Sequence, residues 1–228
     1  LRPDTVLTAV TAVDSELGVV QPIAEMREIL KDFPSCRLHV DATQAIGRIP
    51  FSFEGLDTMA LAAHKFGGIN GSGILVKRAD LVLEPQMHGG VSATRYRSGT
   101  PALALDASTE LSLRLALEGR ERHWAHVERL NRRLREELSK RPGVRINSPE
   151  GAVPYILNVS VNGIRGAAFQ RALAERAVCV SVKSACSVEG TPSRAVFAVS
   201  RDRKNALSSW RISLSWPTTD EEITEFLR

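Results

Sequence analysis

The chain has 228 residues, 43% of them hydrophobic and 25% charged, enough to bury a sizeable core as one large domain or two small ones. No apolar run approaches the roughly 18 residues of a membrane span, and LRPDTVLTAV has no basic stretch followed by an apolar core, so neither a membrane anchor nor a signal peptide is expected. The net charge of +4 is carried by arginines between Arg114 and Arg141 that alternate with glutamates. That is the pattern of a solvated helix face, whereas a nucleic-acid surface would need fewer acids and more aromatic residues.

The first segment, TVLTAVTAV, reads as a buried strand. Its abrupt start implies native residues upstream of Leu1. Asp14 to Gly18 forms a polar turn at the strand's end, and Pro22 opens a helix with Ile23, Met26 and Leu30 on its apolar face. Strand 37–41 follows, then a short helix near Gln44-Ala45-Ile46, then strand 57–63. The glycine-rich stretch 66–73 fits neither the P-loop nor the dinucleotide fingerprint and reads as a hairpin turn before strand 74–77. Alternating strands and helices predict a mainly parallel sheet. The loop Tyr96-Arg97-Ser98-Gly99-Thr100-Pro101 is rich in donors suited to a phosphate or carboxylate.

From 102 to 141 the chain reads as one helix, with Trp124, Val127, Leu130, Leu134 and Leu138 forming an apolar stripe and Pro142-Gly143 stopping it. A domain boundary falls near Gly119, dividing the chain into 1–119 and 120–228. The second part alternates again: strand 155–161, helix 166–176, strand 178–182, helix 193–199 and strand 209–214. Thr219 with Glu222 forms a capping box for a last helix, which Arg228 cuts short of its natural end.

Three cysteines, with no CxxC and no zinc-spaced cluster, give no sign of a metal site and point to a reducing cytoplasm. Cys36 and Cys179 sit beside or within strands and are expected to be small buried hydrophobes. Cys186 lies instead in a polar, small-residue loop, Lys183 to Gly190, where the nearby lysine would favour its thiolate.

Two strands end on charged groups: Asp41 after Leu38-His39-Val40, and His64-Lys65 after Thr58 to Ala63. Residues just past the carboxyl ends of parallel strands line the ligand crevice of an α/β sheet. An acid beside a ring nitrogen and a lysine able to form a Schiff base are the protein groups that pyridoxal phosphate chemistry requires. Arg211, in an apolar strand, needs an anionic partner, either an internal acid or a substrate carboxylate.

Taken together, HVDATQ, AHKFGG, QMHGG, YRSGT, ILNVS, SACS and WRISLSWPTTDEEI resemble, in order and spacing, the cysteine desulfurases of the NifS/IscS type. These are pyridoxal phosphate enzymes of the class V aminotransferase group with fold type I. The resemblance implies an α/β chain in which 1–119 is the second half of a large cofactor-binding domain with a mainly parallel sheet. It implies that 120–228 is a smaller α/β C-terminal domain carrying the cysteine loop. Lys65 would form the internal aldimine, Asp41 would pair with the pyridinium nitrogen, Gln44 would bond the phenolic oxygen, and His64 would contact the phosphate. Thr100 would reach the partner's phosphate across a homodimer interface. Arg211 would hold the carboxylate of L-cysteine, with Ser15 beside it. Cys186 would attack the substrate sulfur, giving L-alanine and a persulfide that a sulfur-acceptor protein then takes. The acceptor could serve iron–sulfur cluster assembly, tRNA thiolation or a sulfur-containing metabolite. The small residues Ser184, Ala185, Ser187 and Gly190 permit the loop to swing between the two sulfur exchanges.

The chain departs from the family pattern in places. Asp14-Ser15 stands where two asparagines are usual, Ala62 replaces a serine, and Lys183 replaces a glycine in a loop one residue short. The glycine- and threonine-rich phosphate cradle and the ring-stacking histidine have no counterpart, so the expectation is an incomplete view of a longer enzyme that by itself holds cofactor weakly. Two other readings stay open. One is another class V enzyme, a selenocysteine lyase or a cysteine/cystine C–S lyase; the other is a degenerate, non-catalytic homologue.

Overall fold

A computed structural model of the chain describes residues 1–90, 94–183 and 190–228. The chain forms two compact units, Leu1–Ala12 with Pro22–Gly119, and Val13–Gln21 with Arg120–Arg228. Among the described residues no helix is long and apolar enough to cross a membrane.

The first unit is built on a four-stranded sheet: β1 (Leu7–Thr11), β2 (Arg37–Asp41), β3 (Thr58–Ala62) and β4 (Gly73–Lys77), in that spatial order. Helix α1 (Ile23–Leu30) connects β1 to β2. The first three strands are parallel and β4 returns antiparallel to β3, so the glycine-rich stretch does join an antiparallel pair. Alternation sorts the side chains: Leu38, Val40, Met59 and Leu61 are buried on one face. The register pairs His39 with Thr58 and Asp41 with Ala60, which places Asp41 on the opposite face, past a cross-strand hydrogen bond between His39 Nδ1 and Thr58 Oγ1 at 2.8 Å. Asp57 anchors the start of β3, accepting from the Leu38 backbone at 2.8 Å and from Arg78 at 3.1 Å.

The short helix expected near Gln44 is a turn instead. Ile46 N donates to Ala42 O and Ile49 N to Ala45 O, but Gly47 adopts φ +72° and ends the helical run. A Cβ at Gly47 would lie 2.7 Å from that of Ala116, so close packing as well as backbone conformation calls for glycine.

Helix α2 (Leu103–Ser139) is continuous over 37 residues and contributes to both units. Its second part buries Val127, Leu130, Leu134 and Leu138 of the apolar stripe read from the sequence, while Trp124 is half-buried. In the second unit β5 (Val144–Ile146), β6 (Ile156–Val161) and β7 (Ser209–Ser213) form an antiparallel sheet in that order. The remaining helices are α3 (Gly166–Ala174), α4 (Arg194–Ser200), α5 (Arg203–Ser208) and α6 (Asp220–Leu227). Trp210 forms the centre of the core, stacked on Phe169 at 4.7 Å. The capping box of Thr219 and Glu222 is present at α6.

The strand expected over 178–182 is absent. Ser181 and Arg211 exchange two backbone hydrogen bonds, and the pairing goes no further among the described residues. Outside a ladder, Cys179 is exposed rather than buried, while Cys36 is buried as expected. Elements β5 and α5 were not legible from hydrophobic periodicity. The signal for α5 was Asp202, whose Oδ1 accepts from Lys204 N and Asn205 N.

Candidate active site

In the first unit Asp41 ends β2 beside Thr11 of β1 and Ala60 of β3, at the carboxyl edge of the parallel strands. Its Oδ1 accepts from Thr43 N at 2.9 Å, and Oδ2 has no hydrogen bond among the described residues. One oxygen thus fixes the carboxylate and the other can accept an outside donor. Three residues on, Gln44 is half-buried and its Oε1 accepts from Arg48 Nη1. His64 and Lys65 lie in a 3-10 turn (Ala63–Lys65) immediately after β3, both exposed. The Lys65 carbonyl accepts from Arg48 Nη2 at 3.2 Å. Arg48 therefore joins the Asp41–Gln44 turn to the lysine turn. Sequence reading missed it.

The motifs QMHGG and YRSGT come together in this unit. Ser98 N donates to Met87 O at 3.2 Å and Ser98 Oγ to His88 O at 3.0 Å. Thr100 follows in the same loop and is exposed.

These donors and acceptors fit pyridoxal phosphate. Asp41 Oδ2 suits a ring N–H, and Gln44, with its oxygen occupied by Arg48, has its amide N–H groups left as donors that suit an anionic oxygen. Lys65 offers the amine, and the His64 ring can donate to a phosphate.

In the second unit Arg211 is half-buried in β7. Nη1 donates to the Ser15 carbonyl at 2.7 Å and Nε to Ser213 Oγ at 3.1 Å. Ser15 thus supplies its backbone, not its side chain. No acid forms an ion pair with Arg211 among the described residues, and Nη2 has no hydrogen bond there. Burial pushes its guanidinium below the usual arginine value, opposed by the charges of Glu16 and then Asp14. An arginine so placed remains a cation, held on two edges and open on the third. The Asp14 carboxylate is itself occupied, accepting from Glu16 N at 3.0 Å and Leu17 N at 2.6 Å.

Cys186 lies outside the described residues. Of its loop, Lys183 is described, and its ammonium donates to the carbonyl and hydroxyl of Thr191 at 2.8 and 2.9 Å.

Comparison with known proteins places the chain. The profile described as "Aminotransferase class-V" matches residues 1–226. A NifS/IcsS protein homolog of Lactobacillus delbrueckii subsp. bulgaricus is 33% identical over all of this chain and 60% of its own length. The cysteine desulfurase IscS of Aeromonas salmonicida is 38% identical over 98% of this chain and 56% of its own length. A solved NifS-like protein superposes with a TM-score of 0.88 at 33% identity, covering 98% of this chain and 59% of that one. The chain therefore spans less than two thirds of the length of these relatives. Its α/β architecture, with a mostly parallel first sheet, is that of fold type I pyridoxal phosphate enzymes. The chain belongs to the class V aminotransferases, whose NifS/IscS members depend on pyridoxal phosphate.

Proposed function

We propose that the whole protein is a cytoplasmic, homodimeric cysteine desulfurase that converts L-cysteine to L-alanine and passes the sulfur, by way of a persulfide on Cys186, to an acceptor protein. The observation that carries this reading is Arg211. A half-buried guanidinium held by the Ser15 carbonyl and Ser213, with no acid in an ion pair with it among the described residues, suits an α-carboxylate. Lys65 would attach the cofactor through its amine, and Asp41 would accept a hydrogen bond from the protonated ring nitrogen. Gln44 donates to the phenolic oxygen, and His64 and the partner's Thr100 hold the phosphate. Bound pyridoxal phosphate supplies an electron sink for charge released at the substrate Cα. Cys186 acts as thiolate, since the thiol is a poor nucleophile. The substrate C–S bond breaks, an S–S bond forms on Cys186, and the carbon left behind takes a proton, so that cysteine and thiol become alanine and persulfide.

The test uses the full-length protein with L-cysteine. Alanine should appear together with one added sulfur atom on the peptide that carries Cys186, and Cys186→Ala should abolish that adduct. Free sulfide without the adduct would instead favour a C–S lyase or selenocysteine lyase. A protein with no cofactor absorbance would be a non-catalytic homologue.

A further inference from the structure

Side-chain hydrogen bonds of Arg48 join separate parts of the first unit. Nη1 donates to Gln44 Oε1 and Nη2 donates to the Lys65 carbonyl. The local backbone explains why it can. Hydrogen bonds from Ile46 N to Ala42 O and from Ile49 N to Ala45 O fold the segment into a tight turn, and within it the side chains of residues 44 and 48 meet. Gly47, at φ +72° and packed on Ala116, sets the direction in which the chain leaves that turn. Ala42 N in turn donates to Ala60 O at 2.9 Å, which ties the base of the turn to β3, the strand that runs into the Lys65 turn.

An amide side chain has one acceptor end and one donor end, and exchanging them costs little unless a partner selects one. A guanidinium can only donate, so bonding to Arg48 obliges Gln44 to turn its oxygen toward Arg48 and its Nε2 away. We propose that Arg48 is a positioning residue: it orients Gln44 so that an N–H donor faces the bound cofactor's anionic phenolic oxygen, and it holds the lysine turn in the same frame. This rests on the cofactor-binding reading of Gln44 and Lys65 given above. It adds a residue that acts through Gln44 and decides whether Gln44 attracts or repels an anionic oxygen. In the absence of Arg48 the amide presents either end, and an oxygen facing an oxygen is repulsive.

The test measures equilibrium binding of pyridoxal phosphate to full-length apoprotein by absorbance titration, with melting temperature recorded in parallel. Arg48→Ala and Gln44→Ala should each weaken binding about tenfold, which a lost charge-assisted hydrogen bond implies. The double variant should be no weaker than either single one, because the two act as a unit. Arg48→Lys, which keeps one donor, should recover part of the loss. Gln44→Glu keeps the bond to Arg48 but has no donor to turn away, so it should bind as weakly as Gln44→Ala while melting like the unaltered protein. Should Arg48→Ala fold poorly, Arg48→Lys and Gln44→Glu decide the matter. Unchanged affinity in Arg48→Ala, additive losses in the double variant, or full affinity in Gln44→Glu would each overturn the role of Arg48. Failure of the unaltered protein to bind, or a cofactor band that survives Lys65→Ala, would instead remove the cofactor-binding reading beneath it.

Discussion

Ser193 Oγ donates to Glu16 Oε2 at 2.5 Å, across 177 residues of sequence, and both residues are buried. The same hydroxyl accepts from Val196 N at 3.1 Å as the N-cap of α4. One small side chain therefore starts a helix and satisfies a buried carboxylate on the segment Val13–Gln21, within the second unit. Ser193→Ala removes both bonds, one of them to the buried Glu16 carboxylate. It should destabilise that unit by about 2 kcal/mol, while Ser193→Thr should be close to neutral. Urea unfolding midpoints check this; equal midpoints for serine and alanine would deny the residue its double role.

Arg211→Lys should separate substrate binding from cofactor binding in the full-length enzyme. A lysine cannot donate to Ser15 O and Ser213 Oγ at once and still present a flat donor edge to a carboxylate. KM for L-cysteine should rise about tenfold, with pyridoxal phosphate affinity unchanged. An unaltered KM would move the carboxylate site elsewhere.

Arg129 and Asp220 form a two-pronged pair at 2.7 and 2.8 Å that joins α2 to the first turn of α6. The Arg129 hydrogen bond, reinforced by charges on Arg129, Arg133 and His126 and opposed by burial, holds the Asp220 carboxyl below its usual value. A depressed folded value means the pair stabilises the protein above the ordinary carboxylate range and ceases to do so as pH falls through the lowered value. Asp220→Asn should therefore melt earlier than the unaltered protein at pH 7. The gap should close below about pH 4 and narrow in high salt, since both groups are partly exposed. A gap that persists in acid would mean the asparagine acts by some route other than charge.

Gly166 opens α3 where the helix meets β7. A Cβ there would lie 2.2 Å from the Ser209 carbonyl oxygen, a backbone atom that cannot rotate aside. Gly166→Ala should cost about 1–3 kcal/mol by overpacking, even though alanine is the better helix former. Calorimetry of the variant gives the sign directly, and a stabilised Gly166→Ala protein would refute the close approach.

Local pattern determined much of this protein. The α2 stripe, the capping box at α6, the parallel strands ending on Asp41 and before Lys65, and the ordered series of short motifs could all be read from neighbouring residues. Such features depend on contacts within a turn or two, or on alternation along one strand. Tertiary structure decided the rest. Residues 178–182 have strand-like composition, yet a strand needs a ladder, and Ser181 makes only a single bridge to Arg211. Cys179 is exposed for the same reason. The run near Gln44 has helical composition, but Gly47 must pass close to Ala116 and turns left-handed there. Ser15 was legible as a position but not as a carbonyl acceptor for Arg211, and Arg48 and Ser193 carried no motif at all. Their roles come from partners 17 and 177 residues away, and no local periodicity encodes which distant atoms a donor will meet.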